Sequence, residues 1–215
     1  GLMRQHPVIA NGKLYANVRD TYVWYAININ DGSLYWRGNA NTDESLFVVA
    51  DVVPLLAGGK LWTVNPMPTK LSTLDPSTGN VTWSDSTGYN FSSRGGATDG
   101  STVYYAAKDG RIIFAFDAIT HTIKWSLDLR AGGSDSDLQG YQINSALILQ
   151  NGVLYHAAER GRITAIDASN GNILFKYDAA GFPERVIWST PTVKGNSIYF
   201  GGIDSKLYKV TVLNP

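Results

Sequence analysis

One short pattern recurs along this chain at long, nearly regular intervals. Four segments align on a turn: Ile27-Asn28-Ile29-Asn30-Asp31-Gly32, Leu74-Asp75-Pro76-Ser77-Thr78-Gly79, Phe116-Asp117-Ala118-Ile119-Thr120-His121 and Ile166-Asp167-Ala168-Ser169-Asn170-Gly171. Four residues after each endpoint stands a large aromatic: Trp36, Trp83, Trp125 and Phe175. The endpoints Gly32, Gly79, His121 and Gly171 are 47, 42 and 50 residues apart. A fifth copy begins at Lys206-Leu207-Tyr208-Lys209-Val210, and the next turn glycine would fall at Pro215. A period near this length points to a repeat architecture, in which each copy is one unit that buries its apolar surface only against its neighbours.

Within each copy the residues read as strands. The runs Lys13-Leu14-Tyr15-Ala16-Asn17-Val18, Lys60-Leu61-Trp62-Thr63-Val64, Thr102-Val103-Tyr104-Tyr105-Ala106 and Gly152-Val153-Leu154-Tyr155-His156 are rich in β-branched and aromatic residues. Their period of two predicts half-buried strands. Asn11-Gly12, Asp99-Gly100, Asp109-Gly110 and Asn151-Gly152 supply tight hairpin turns, because these residues tolerate positive φ. His121 replaces glycine at one endpoint, and histidine visits positive φ more readily than most residues. No stretch has helical amphipathic spacing. Four short antiparallel strands per copy make an all-β chain of propeller blades, over approximately 6–38, 48–86, 94–128, 143–178 and 186–215.

The pattern Asp-x-x-Thr-Gly-x-x-x-Trp, preceded by Leu-Tyr, a small residue and an apolar one, resembles the pyrroloquinoline-quinone (PQQ)-like propeller repeat. Leu71 to Trp83 and Arg162 to Gly171 are close to its consensus, and the likeness extends over nearly the whole chain. That repeat is shared by quinoprotein dehydrogenases, BamB-like assembly lipoproteins and sensor domains of some receptor kinases, so it specifies fold far more than function. The resemblance implies that Trp36, Trp83, Trp125 and Phe175 dock between blades. It gives Gly32, Gly79, Gly171, Asp75, Asp117 and Asp167 structural roles in the turns. Ala26, Thr73, Ala115 and Ala165, two residues before the Asp position, let adjacent sheets approach; the fifth copy has Lys209 there and Thr211 in place of the Asp, which suggests a partly solvated edge. Rings of this family usually have seven or eight blades, so the five copies read as part of a larger ring. The alternatives are a small five-bladed ring, or one completed by another copy.

Composition narrows the function classes. Lys plus Arg and Asp plus Glu are both 18, giving no net charge and no basic excess for nucleic acid. No apolar run approaches the ~20 residues of a membrane span. There is no cysteine, hence no disulfide, thiolate metal site or cysteine nucleophile. Gly1-Leu2-Met3 shows no signal-peptide features, so a signal was removed, the sequence begins within a longer protein, or none existed. His6, His121 and His156 do not stand at metal-ligand spacing and read as strand and turn residues. The run Gly132 to Asp137 contains Asp-x-Asp but lacks the further acidic ligands of an EF-hand, and reads as a solvated loop. Asn80-Val81-Thr82 and Asn90-Phe91-Ser92 fit the glycosylation pattern, which matters only in a secreted eukaryotic protein.

The connections from the outer strand of one blade to the inner strand of the next are the expected binding face: Arg37 to Val52, Ser84 to Gly95, Ser126 to Ser145 and Lys176 to Thr190. They are long for loops and hold Arg94, Arg130, Tyr141, Gln142, Asn144, Phe182, Arg185 and Trp188, a composition typical of binding hot spots. Trp188 and Phe182 fit equally well as filling between blades. The expected function is a binding or scaffold module without catalytic residues or cofactor, whose partner is a protein or peptide. One alternative is a fragment of a PQQ- and calcium-dependent dehydrogenase, to which Trp188 and Asn144 could be recruited, although that family's cysteine pair is absent, its carboxylate set is not placed residue by residue, and repeat packing explains Trp188 at least as well. Another is an ectodomain sensing a small ligand or glycan. The resemblance implies a periplasmic, cell-surface or extracellular location.

Overall fold

The computed structural model describes residues 7–18, 23–39, 53–64, 70–92, 94–108, 110–129, 145–158, 162–178, 190–202 and 205–211. Every regular element among them is a β-strand. The first sheet has the order β1 (Val8–Ala10), β2 (Lys13–Val18), β3 (Val23–Asn28) and β4 (Leu34–Asn39). The second contains β5 (Leu55–Ala57), β6 (Lys60–Val64), β7 (Leu71–Leu74) and β8 (Val81–Ser84), also in chain order. The third comprises β9 (Ala97–Thr98), β10 (Thr102–Ala106), β11 (Ile112–Asp117) and β12 (Ile123–Asp128), and the fourth β13 (Ile148–Gln150), β14 (Val153–Ala157), β15 (Arg162–Asp167) and β16 (Ile173–Asp178). The last sheet has three described strands, β17 (Thr192–Lys194), β18 (Ser197–Gly201) and β19 (Leu207–Thr211). Five antiparallel meanders of this kind are the blades of a β-propeller.

The turns follow from the residues that occupy them. Asn11 and Asn151 sit at φ 50° and 52°, each followed by a positive-φ glycine, as a two-residue hairpin loop requires. Asp99 instead accepts the N–H groups of Ser101 and Thr102 at 2.8 and 2.7 Å, and only Gly100 of that pair has positive φ. At the recurring turn, the carboxylate of Asp75 accepts the N–H and hydroxyl of Ser77, and Asp167 accepts those of Ser169. Those hydroxyl and N–H donors hold both carboxyls below the usual carboxylate range. The N–H of the endpoint then closes the turn onto the carbonyl four residues back: Gly32 to Asn28, Gly79 to Asp75, His121 to Asp117 and Gly171 to Asp167, at 2.8–3.0 Å.

A β-bulge falls at the same place in the first four sheets, between Ala26 and Ile27, Thr73 and Leu74, Ala115 and Phe116, and Ala165 and Ile166. Its effect is to turn the outer-strand aromatic onto the face opposite the residue two before it. Thus Trp36 lies opposite Ala26 while Leu34 lies opposite Ile27. On one face of each of the first four blades an aromatic of the second strand and the outer-strand aromatic therefore flank a small residue: Tyr15, Ala26 and Trp36, or Tyr155, Ala165 and Phe175. Ala26, Thr73, Ala115 and Ala165 are all fully buried. In the last sheet Lys209 occupies the small position opposite Tyr199, is exposed, and places its ammonium 5.9 Å from the Tyr199 ring centroid.

The chain forms two compact units, Gly1–Val103 with Asp117–His121, and Tyr104–Phe116 with Thr122–Pro215. In the first, Leu61, Trp62, Leu71, Leu74 and Phe91 are fully buried. In the second, one apolar cluster joins Tyr155, Ala157, Ile163 and Ala165 of the fourth sheet to Ile198 and Phe200 of the last. Phe175, which replaces tryptophan in the fourth repeat, packs against that cluster.

Gly79 and Gly32 have near-identical backbones, at φ 77° and 73°, but different surroundings. A Cβ at Gly79 would meet the Trp36 ring at 2.5 Å, whereas at Gly32 it would meet nothing within 4 Å. Gly32→Ala is expected to cost only the left-handed penalty of about 1–2 kcal/mol. Gly79→Ala should cost clearly more, because the indole must also move. Equal shifts in denaturant midpoint for the two variants would contradict this account of the seam.

Candidate functional site

Indoles seated on turns of the neighbouring repeat recur in the described residues. In the first unit the Trp36 ring covers Gly79, and its Nε1–H donates to the carbonyl of Pro76 at 2.9 Å. In the second, the Trp125 ring covers Gly171, and its Nε1–H donates to the carbonyl of Ala168 at 3.0 Å. The Tyr104 hydroxyl donates to the same Ala168 carbonyl at 3.1 Å. Each seat thus needs a residue without a Cβ and a main-chain acceptor one place after the Asp.

The third turn solves the problem differently. His121 adopts φ 61°, and its imidazole stacks on Trp83 with centroids 4.7 Å apart and planes 15° apart. The buried Trp62 ring lies edge-on to it at 5.3 Å. Burial and then the charge of Lys60 pull the imidazole below its ordinary pKa, while Asp117 opposes them. A planar side chain here does what the absence of one does at the sister turns.

The connection from Ser84 to Gly95, of which all but residue 93 is described, follows the outer strand of the second sheet. Asp85 is buried; its backbone N–H donates to the Leu71 carbonyl, and its carboxylate accepts the N–H and hydroxyl of Thr87. Phe91 is fully buried, and Ser92 beside it accepts the Arg94 N–H at 3.3 Å. Between these anchors Tyr89 and Asn90 are exposed, and Arg94 is exposed just beyond them. The segment is a strap fastened at both ends that displays an aromatic, an amide and a guanidinium.

Of the expected binding residues, Arg94 is on this strap. Arg130, Tyr141, Gln142, Asn144, Phe182, Arg185 and Trp188 lie outside the described residues, as does the Gly132–Asp137 run. Residue-by-residue reading passed over the anchors. Asp85-Ser86-Thr87 repeats the Asp-x-Ser turn chemistry and could have been found on that ground; the burial of Phe91 has no comparable signal. His156 was read only as a strand residue. It is fully buried, neither ring nitrogen has a hydrogen-bond partner, and burial lowers its pKa to about 4. Among the described residues no cluster of three or more His, Cys, Asp or Glu could hold a metal ion. No helix among them is long and apolar enough to cross a membrane.

Five antiparallel four- or three-stranded blades with a recurring Asp turn and outer-strand aromatic define a propeller of PQQ-like repeats. The sequence model described as outer membrane protein assembly factor BamB matches residues 1–95 and 89–214. The chain belongs to that family. Among solved structures, BamB from Moraxella catarrhalis matches with a TM-score of 0.72 at 20% identity, covering 96% of this chain and 60% of that one. The computationally designed Ika8 protein matches with a TM-score of 0.72 at 14% identity, covering 96% and 57%. The quinohemoprotein alcohol dehydrogenase ADHIIG from Pseudomonas putida HK5 gives 0.57 at 20% identity, over 69% and 28%. At such identities the likeness is one of fold. The chain spans about 60% of the length of the BamB structure it matches. No curated protein matches it.

Proposed function

We propose that this chain is a binding scaffold without catalytic residues or a resident cofactor, which presents the connections between its blades to a protein partner. The observation that supports this most directly is the fastened strap. Phe91, Ser92 and Asp85 fix its backbone, so Tyr89, Asn90 and Arg94 are presented with little left to order on binding. Arginine and tyrosine are the residue types most often found to dominate protein interfaces. Membership of the BamB family favours a partner among outer-membrane proteins and an exported location.

The test is surface plasmon resonance with the chain immobilised and detergent-solubilised bacterial outer-membrane proteins as analyte. Arg94→Ala is expected to weaken binding roughly tenfold or more, with the unfolding midpoint of the variant measured alongside to separate binding from stability. Undiminished binding by the Arg94→Ala and Tyr89→Ala variants would remove the strap from the interface. PQQ- and calcium-dependent oxidation of an alcohol would move the reading to a dehydrogenase, and saturable glycan binding to a sensing ectodomain.

A further inference from the structure

At the third turn a ring that titrates near neutral pH stands where the sister turns have only a glycine. Trp36 and Trp125 lie directly over Gly79 and Gly171. Here His121 takes the glycine's place and closes a cluster of three rings. Its imidazole is 4.7 Å from Trp83 and 5.3 Å from Trp62, and the two indoles are 5.6 Å apart. A second joint lies beside the cluster: Gly58 donates its N–H to the Gly100 carbonyl at 3.1 Å, and a Cβ at Gly58 would overlap the Ala118 carbonyl. All of these residues except Trp125 and Gly171 belong to the first compact unit.

A neutral imidazole suits this place and an imidazolium does not. In the cation both ring nitrogens are donors, and Nε2 is buried with no hydrogen-bond partner among the described residues. Two charged groups act on the ring, Lys60 of β6 and Asp117 at the head of the turn, while β8 brings no charged side chain. Lys60 repels an imidazolium. Asp117 attracts it, but that carboxylate already accepts the N–H groups of Ile119 and Thr120 at 3.0 and 2.9 Å. Asp75, at the head of the second turn, draws on the same Lys60 ammonium. The Trp83 face would attract a cation; burial and Lys60 act against it, and the ring titrates below its ordinary value. The backbone works in the same direction. At φ 61° His121 holds a conformation that the sister turns leave to glycine, so the stack maintains a strained turn.

We propose that His121 is an acid-released latch. Neutral, it clasps Trp83 and Trp62 and holds the second sheet to the third turn; protonated, it leaves the stack and the joint opens. Above pH 6.5 the ring is neutral whether the joint is closed or open, and the latch is at full strength. Below that, the open joint takes up a proton that the closed one resists, so closure weakens until the pH reaches the lowered value of the closed form. The Trp36 seat has no imidazole to titrate, so acidification loosens the first unit at one joint rather than throughout.

Hydrogen exchange of the full chain, read amide by amide between pH 7.5 and 4.5 and corrected for the intrinsic rate at each pH, tests the latch. Protection at Gly58 and His121 is expected to fall roughly tenfold or more towards the acid end. Gly79, whose N–H makes the same turn-closing bond as that of His121, should keep its protection. His121→Gly, which restores the residue of the sister turns, should make Gly58 insensitive to pH. Lys60→Gln leaves the turn alone and should move the loss to higher pH. Constant protection at Gly58 and His121, an equal loss at Gly79, or a pH dependence at Gly58 that survives His121→Gly would each overturn the proposal. So would a midpoint that Lys60→Gln leaves in place.

Discussion

Replacing Trp36 by alanine is expected to lower the unfolding free energy by about 3–5 kcal/mol. The indole is buried, stacks tilted against Tyr15 at 6.1 Å, covers Gly79 and donates to the Pro76 carbonyl. Alanine removes all of this and leaves a cavity between the first two sheets. In a repeat architecture stability resides largely in such neighbour interfaces, so the loss should fall on the cooperativity of unfolding as well as its midpoint. Trp36→Phe keeps most of the ring and loses the hydrogen bond, for which about 1 kcal/mol is expected. Denaturant melts of both variants check the order of effects. A loss below 1 kcal/mol for alanine would mean that the indole seats do not hold the blades together.

Acid should destabilise this protein through His156. The buried imidazole has a pKa of about 4 in the folded chain against the ordinary 6.5, because burial penalises its charged form. Above pH 6.5 both states carry it neutral, and its contribution to stability is complete. As pH falls from 6.5 towards 4 the unfolded chain takes up a proton that the folded chain refuses. Stability then declines by about 1.4 kcal/mol per pH unit, to a total of about 3 kcal/mol. Phe200 occupies the equivalent place in the last sheet, which makes His156→Phe a reasonable probe. Unfolding midpoints at pH 7.5 and 4.5 should differ much less in that variant than in the parent. An unchanged difference, or an imidazole titrating near 6.5 by NMR, would rule His156 out as the source.

How far the sequence discloses this molecule depends on the range over which each feature acts. Strands and turns are local, so the alternation in Lys13–Val18 and the Asn-Gly pairs announce them directly. His121 at φ 61° was readable because its neighbours in register are glycines. The bulges were not, since one extra residue on an outer strand leaves the apolar pattern nearly intact while changing which way Trp36 points. The burial of His156 was hidden for a related reason: alternation predicts a facing residue but not that both ring nitrogens go without partners. Of the expected binding residues, Arg94 was singled out from composition alone. The fastening of its segment comes from the local Asp85-Ser86-Thr87 turn, which the residues announce, and from the burial of Phe91, which they do not.

The acceptor in each indole seat is a peptide carbonyl, and that bears on how such a protein can change over time. Pro76 and Ala168 present the same oxygen to a tryptophan although their side chains share nothing. A duplicated or transplanted blade therefore meets its new neighbour through groups that every residue possesses, and no compensating substitution is demanded across the joint. What must be inherited is little more than a tryptophan and a backbone that leaves room for it. Lineages built this way can lose nearly all recognisable ancestry while their folds stay superimposable.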